Sequence, residues 1–231
     1  MKETTLLLFL LFSLSTVNAQ NRTTSENSNW STSFDIGLAS ANGGFTDGYT
    51  ASNLNNFSVS LGGRYMFNSD SRLKPFGIQF KGGFSNLLSN ASSQDFETRY
   101  YFANLNGVVN IKDTFAIPST KWIKDFSLYT GLGIGMGHYK FDDLAVFSEA
   151  HNSFIIGGDK LFTINFSLTP EYNLSENVSV HLELNYNLLA GSNFTIDGNR
   201  IANDPDVNIS AFDPSIFKSS IGITYYITPE S

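Results

Sequence analysis

The 231-residue sequence contains no cysteine. Disulfides, thiolate metal sites, cysteine nucleophiles and an acylated lipobox cysteine are thereby excluded. Proline is scarce, at 6 residues, so little stands in the way of long strands. Lys and Arg number 14 against 21 Asp and Glu, a net charge of -7, and they form no cluster. A nucleic-acid surface needs clustered positive charge, so that class of partner is not expected. Also missing is any run of roughly 20 apolar residues, the length a membrane helix requires. The mean hydropathy of -0.10 agrees, yet it leaves a membrane β-barrel open, because alternation keeps the average polar.

Aromatic residues are plentiful instead, with 21 Phe and 10 Tyr, and so is glycine, with 19. The stretch Phe126 to Tyr139 shows how they are used. Phe126, Leu128, Leu132, Ile134 and Met136 fall on one parity, and Ser127, Gly131, Gly133, Gly135 and Gly137 on the other. A strand sends successive side chains to opposite faces, so one face is greasy and the other nearly bare. A helix would scatter those glycines and lose about 1 kcal/mol at each. The run also exceeds the roughly 9–11 residues a tilted strand needs to cross a bilayer. The Gly-x-Gly-x-Gly-x-Gly spacing is not a dinucleotide fingerprint; it makes room for bulky groups opposite or bends the wall.

The pattern recurs along the chain. Trp30–Ser40, Asn56–Phe67, Leu73–Ser85, Thr98–Ile111, Lys160–Tyr172, Val178–Leu189 and Ser215–Ile227 alternate in the same way. With Phe126–Tyr139 they make about eight strands, an even number, as a bacterial single-chain barrel requires. Asn68–Arg72 and Asn173–Asn177 read as tight turns, rich in Asn, Asp and Ser. Ala41–Asn55, Asn86–Glu97, Lys140–Asp159 and Ala190–Pro214 read as long connections, with Lys112–Asp125 a longer link on the short side. The expected fold class is all-β: an antiparallel up-and-down transmembrane barrel with a polar, packed interior.

Volume decides which face looks in. A barrel of eight strands has an interior just wide enough for side chains to fill it. Phe, Leu and Ile from every strand do not fit there, whereas Gly, Ser and Asn with scattered charges do. The inward parity then carries Asp35, Arg64, Lys81, Glu171, His181 and Glu183. A charge taken out of water needs a partner, so this set is expected to form ion pairs across the lumen, such as Arg64 or Lys81 with Glu183 or Glu171. It reads as a structural plug rather than an ion path. Trp30, Phe67, Trp122, Tyr172 and Tyr225 are candidate interface anchors at the short-turn rim, and Phe57, Phe84, Tyr101, Phe162 and Phe217 at the other.

The N-terminus carries an export signal over residues 1–19: Lys2, an apolar core from Leu6 to Leu14, and Val17-Asn18-Ala19 before a cut at Gln20. Residues 20–29 form a flexible leader, and 30–231 the barrel. Signal, strands, long and short connections and the ending Ser219-Ser220-Ile221-Gly222-Ile223-Thr224-Tyr225-Tyr226-Ile227 resemble small outer-membrane β-barrels of the OmpA/OmpX type. That resemblance implies an outer-membrane location in a Gram-negative envelope, contact with outer-membrane lipid and lipopolysaccharide, and delivery by the barrel-insertion machinery. It also implies an insertion signal in the last strand, at Tyr225, Tyr226 and Ile227. No separate cell-wall-binding domain of the OmpA kind is expected, nor any cofactor.

The long connections hold most of the acid, including Asp142, Asp143, Glu149, Asp197, Asp204, Asp206 and Asp213. Asp204-Pro-Asp206-Val-Asn208 lacks the glycine and distal glutamate of a calcium loop and reads as a solvated loop. A structural or surface-interaction role is expected. Two alternatives stand beside it. A lipid A-modifying enzyme would need a histidine with a serine or carboxylate at the rim, for which His138, His151, Ser148 and Glu149 are candidates. A soluble exported barrel would instead turn its greasy face inward around an apolar ligand.

Overall fold

The computed structural model describes residues 29–42, 56–67, 73–91, 94–115, 124–141, 159–190 and 215–227. The expected export signal, most of the expected leader, Trp122, His151, Ser148, Glu149 and Asp204 to Asn208 lie outside the described residues.

Eight strands form in chain order: β1 (Trp30–Asn42), β2 (Phe57–Met66), β3 (Phe76–Ala91), β4 (Gln94–Asn110), β5 (Phe126–Phe141), β6 (Asp159–Asn173), β7 (Val178–Ala190) and β8 (Ser215–Ile227). Each pairs antiparallel with the next, and β8 returns to β1 from Trp30 opposite Ile227 to Asn42 opposite Ser215. The sheet is a closed barrel with no free edge. Closure gives the backbone amides and carbonyls partners inside the wall, the condition for strands surrounded by hydrocarbon.

One connection differs from its sequence expectation. Asn86–Glu97 is not a long loop: β3 runs to Ala91, β4 begins at Gln94, and the two pair out to Ala91 opposite Gln94. The polar run Ser89-Asn90-Ala91-Ser92-Ser93-Gln94-Asp95 carries no apolar alternation, so periodicity could not reveal this extension of the hairpin beyond the barrel wall. At the other end the tight turn after β6 closes as expected. Leu174 and Ser175 donate their amides to the Val178 carbonyl at 2.9 and 3.0 Å, and the Ser175 hydroxyl accepts from the Val178 amide. After β4 the link opens with a single helical turn, α1 (Ile111–Thr114), capped by the Asn110 side chain accepting from the Lys112 amide.

The two faces of the wall are opposite in character. Outside, Leu61, Leu105, Leu132, Ile134, Met136 and Ile221 are more than half exposed. Inside, Asp35, Thr163, Asn165, Ser179 and Asn187 are fully buried. An apolar surface of this extent is stable only against apolar surroundings. At both ends the greasy belt is edged by rings in mutual contact. Trp30 lies 4.7 Å from Tyr65 and Tyr65 5.9 Å from Phe67 at the short-turn rim, and Phe84 bridges Phe57 and Tyr101 at the long-loop rim. Paired girdles flanking an apolar band mark a transmembrane barrel.

The glycines of β5 lie on the inward face, and neighbours have taken their space. A Cβ on Gly135 would meet Thr163 Oγ1 at 2.7 Å, and one on Gly137 the Tyr100 ring at 2.5 Å. Gly63 has open space around it. Gly137→Val is therefore expected to destabilise the barrel by about 1–3 kcal/mol through overpacking, and Gly63→Ala to leave stability unchanged. Thermal unfolding in detergent, followed by circular dichroism, checks the pair.

Candidate functional site: the filled lumen

The inward residues form stacked layers set by strand register. Nearest the short turns, Arg64 of β2 reaches across the barrel to Glu171 of β6, Nη2 to Oε2 3.0 Å. Its guanidinium lies 3.9 Å from the centre of the Tyr129 ring and donates to the Tyr226 hydroxyl at 3.1 Å. The other Glu171 oxygen accepts from the Ser179 and Tyr226 hydroxyls. The charge pair is thus hydrogen-bonded on both sides, the condition under which a buried ion pair holds.

One layer further in, Lys81 of β3 meets two carboxylates. Its Nζ lies 3.0 Å from Asp35 Oδ2 and also contacts Glu183 Oε2. Asp35 Oδ1 faces His181 Nε2 at 2.5 Å, and Thr224 Oγ1 sits 3.0 Å from His181 Nδ1. Both imidazole nitrogens are engaged, as a buried ring requires. Gly222 makes this possible, since a Cβ there would stand 2.5 Å from His181 Nε2 and 2.6 Å from Asp35 Oδ1. The ligand atoms of Asp35, His181 and Glu183 lie within 4.8 Å of one another, a grouping that could hold a metal. The Lys81 ammonium already bonds both carboxylates, and a divalent ion would have to displace a buried cation. The set does not fit a metal.

Above the charges lies a layer of amides. Asn165 donates to Asn187 at 2.7 Å and to Asn185 at 3.0 Å, Asn187 donates to Asn185 at 2.6 Å, and Asn104 takes a bond from Thr163 at 3.1 Å. These asparagines share the inward parity of the charged residues. The chain interleaves them with Leu, Tyr and Phe, which gives each its place on the wall.

Sequence reasoning missed two features. Lys218 of β8 is buried with its ammonium 3.3 Å from the centre of the Phe102 ring, a cation–π contact. It shares the parity of Ser220, two residues on, and that spacing was the available signal. With it, three buried carboxylates (Asp35, Glu171, Glu183) face three buried cations (Arg64, Lys81, Lys218) among the described residues, with His181 besides. The second feature closes the long-loop end. Tyr100, Tyr139, Leu87, Leu161, Leu189 and Ile216 turn inward with Ala39 and Ala41 into an apolar cluster, all at 3% exposure or less. The polar interior expected from sequence holds for the lower layers, and the top layer is hydrophobic. The rule that large residues face out failed there because Gly137 leaves free the volume that the Tyr100 ring fills, and Ala39 and Ala41 are the small members of the same cluster.

The remaining candidates fall elsewhere. Tyr225 and Ile227 are on the outer face at 43% and 48% exposure, whereas Tyr226 is turned inward to Arg64 and Glu171. An insertion signal on the outer surface would rest on the first and third of the trio. His138 is half-buried near the long-loop end of β5, paired in register with Tyr101 and Lys160.

Between the two charge layers lies a small polar cavity of about 10 Å3, lined by Ser33, Arg64, Gln79, His181, Glu183 and Thr224 among others. That is space for about one water molecule. The layered interior and the apolar outer face define a class: a closed eight-stranded transmembrane β-barrel.

Solved structures carry the same architecture. Over 88% of its length the chain superposes on the whole of Neisserial surface protein A, with TM-score 0.56 and 11% identity. It matches the outer membrane protein OprG from Pseudomonas aeruginosa over 88% of this chain and 98% of that one, with TM-score 0.52 and 13% identity. At these identities the likeness is one of fold, that of the small outer-membrane barrels the sequence resembles. No protein-family model and no curated protein sequence matches the chain.

The two ion clusters predict an order of effects. Glu171→Ala strands the Arg64 guanidinium without a carboxylate and is expected to cost about 3–5 kcal/mol. Glu183→Ala leaves Lys81 paired with Asp35 and is expected to cost less. The double variant Arg64→Met with Glu171→Leu should recover most of the loss. The temperature at which the folded gel band disappears in detergent measures all three.

Proposed function

We propose that the protein is an outer-membrane barrel with a structural or surface-interaction role, exercised through its long acidic connections while the lumen stays shut. The observation that carries this reading is the occupied interior. Two salt-bridged layers, an asparagine layer and an apolar layer fill the inside of the wall from the short-turn end to the long-loop end. Such a barrel works as an anchor that holds loops at the membrane surface. Loops on a rigid scaffold are where contacts with partners are made, and an acidic set such as Asp142, Asp143, Asp204, Asp206 and Asp213 favours cationic partners or divalent ions that bridge to anionic lipopolysaccharide. The reading includes Sec-type export with removal of residues 1–19, and insertion guided by the last strand.

The membrane placement is tested by cell fractionation with surface proteolysis. The expected result is recovery in the outer membrane, heat-modifiable gel migration, and protease cuts confined to the long connections. Clean release into aqueous buffer would return the soluble alternative. In planar bilayers wild type and Glu183→Ala alike are expected to pass no current, because losing one carboxylate leaves the apolar layer intact. Steady conductance from wild type would contradict the plug.

A further inference from the structure

The hydrogen-bonded wall has one interruption between its strands β6 and β7. Their register runs from Phe162 opposite Ala190 to Leu168 opposite Leu184, then resumes at Glu171 opposite His181. Thr169 and Pro170 take no partner on β7, although both pair with β5 on their other side. Proline has no amide hydrogen to give, and within sheets it is confined to edges and bulges. A closed barrel has no edge to hide it, so the ladder opens here.

The outer surface is hollowed at the same place. A groove of about 350 Å3 is lined by Phe126, Pro170, Tyr172, Val180, Leu182 and Ile221, and its floor reaches Glu171 and His181. Its walls are almost wholly apolar, and it lies on the lipid-facing side, where Leu182 is 41% and Ile221 67% exposed. Phe126 and Tyr172 stand opposite each other at the start of β5 and the end of β6, so the groove opens at the short-turn girdle and runs into the apolar belt. That level matters. An unpaired backbone group is intolerable deep in hydrocarbon, but near the girdle the ester region of a lipid can supply hydrogen-bonding atoms.

We propose that this groove is a binding site for one phospholipid of the leaflet at the short-turn rim. One acyl chain lies against Pro170 and Leu182, and the glycerol esters sit level with Phe126 and Tyr172. The site rests on the membrane placement proposed above. A water-soluble ligand has no path to a groove set in the belt, and a shallow trough of aliphatic and aromatic walls matches a hydrocarbon chain. Glu171 and His181, which carry the two charge layers inside, also line the groove. A bound chain therefore backs the wall where its own ladder is open.

The test uses 1-palmitoyl-2-oleoyl phosphatidylethanolamine as the probe, titrated into the detergent-purified full chain and followed by native mass spectrometry. Wild type is expected to bind one lipid ahead of all others. Leu182→Trp, which fills the groove, is expected to weaken that first event by about ten-fold or more. Ile134→Trp, on the belt of β5 away from the groove, should bind as wild type does. Each variant is first checked for the heat-modifiable gel shift, and Val180→Phe replaces Leu182→Trp if that chain does not fold. Binding of lipids without a preferred first event, or equal weakening by the groove and belt variants, overturns the site. Flotation of wild type with vesicles separates the two readings. A chain that does not float fails the membrane placement, whereas one that floats without groove-dependent binding fails only the lipid site.

Discussion

The constraint on which this structure depends is that a backbone in hydrocarbon must find all its hydrogen-bond partners within the protein. Eight antiparallel strands that close β8 onto β1 meet it by leaving no edge, with the ladder open only between β6 and β7 beside Thr169 and Pro170 among the described pairings. Closure in turn governs how side chains are placed. The wall has one lipid face and one lumen face, so side chains must alternate with a period of two along every strand. The lumen of an eight-stranded barrel is narrow, so its face must be built from small residues or from large ones facing small ones. The glycines of β5 opposite Tyr100, Asn104 and Asn106 are that second solution.

A narrow lumen that excludes bulk water turns every buried charge into a demand for a partner. The chain meets the demand with charges drawn from distant parts of the sequence. Arg64 and Glu171 are 107 residues apart, and Lys81 and Glu183 are 102 apart. Such contacts lock opposite walls together, which pairing between neighbouring strands cannot do. Asp35 also takes a hydrogen bond from Ser60, Glu171 takes bonds from Ser179 and Tyr226, and Thr224 engages His181. In low dielectric a satisfied network is worth more than its parts suggest, and a broken one costs more.

The fold was legible because period-two alternation is a local property. Strand boundaries such as Phe126, Val178 and Ser215 could be read within a window of a dozen residues. The inward charges were legible for the same reason, since parity alone selects Asp35, Arg64, Lys81, Glu171, His181 and Glu183. What parity cannot give is which partner stands across the barrel, because that depends on the shear between strands. It missed Lys218 because the alternation there begins before the obviously polar run. It also missed the apolar lid of the lumen, where large inward residues are permitted by glycine and alanine on other strands, a condition no single segment contains. The hairpin past Asn86 was hidden because the run from Ser89 to Asp95 carries no apolar alternation.

The lid explains how the two ends of the barrel come to differ. At the short-turn end the lumen is sealed by charge and hydroxyl groups, and at the long-loop end by Tyr100, Tyr139, Leu87, Leu161, Leu189 and Ile216. An apolar layer above the ion pairs keeps water off them from that side, and the attraction between Lys81 and its two carboxylates is stronger for it.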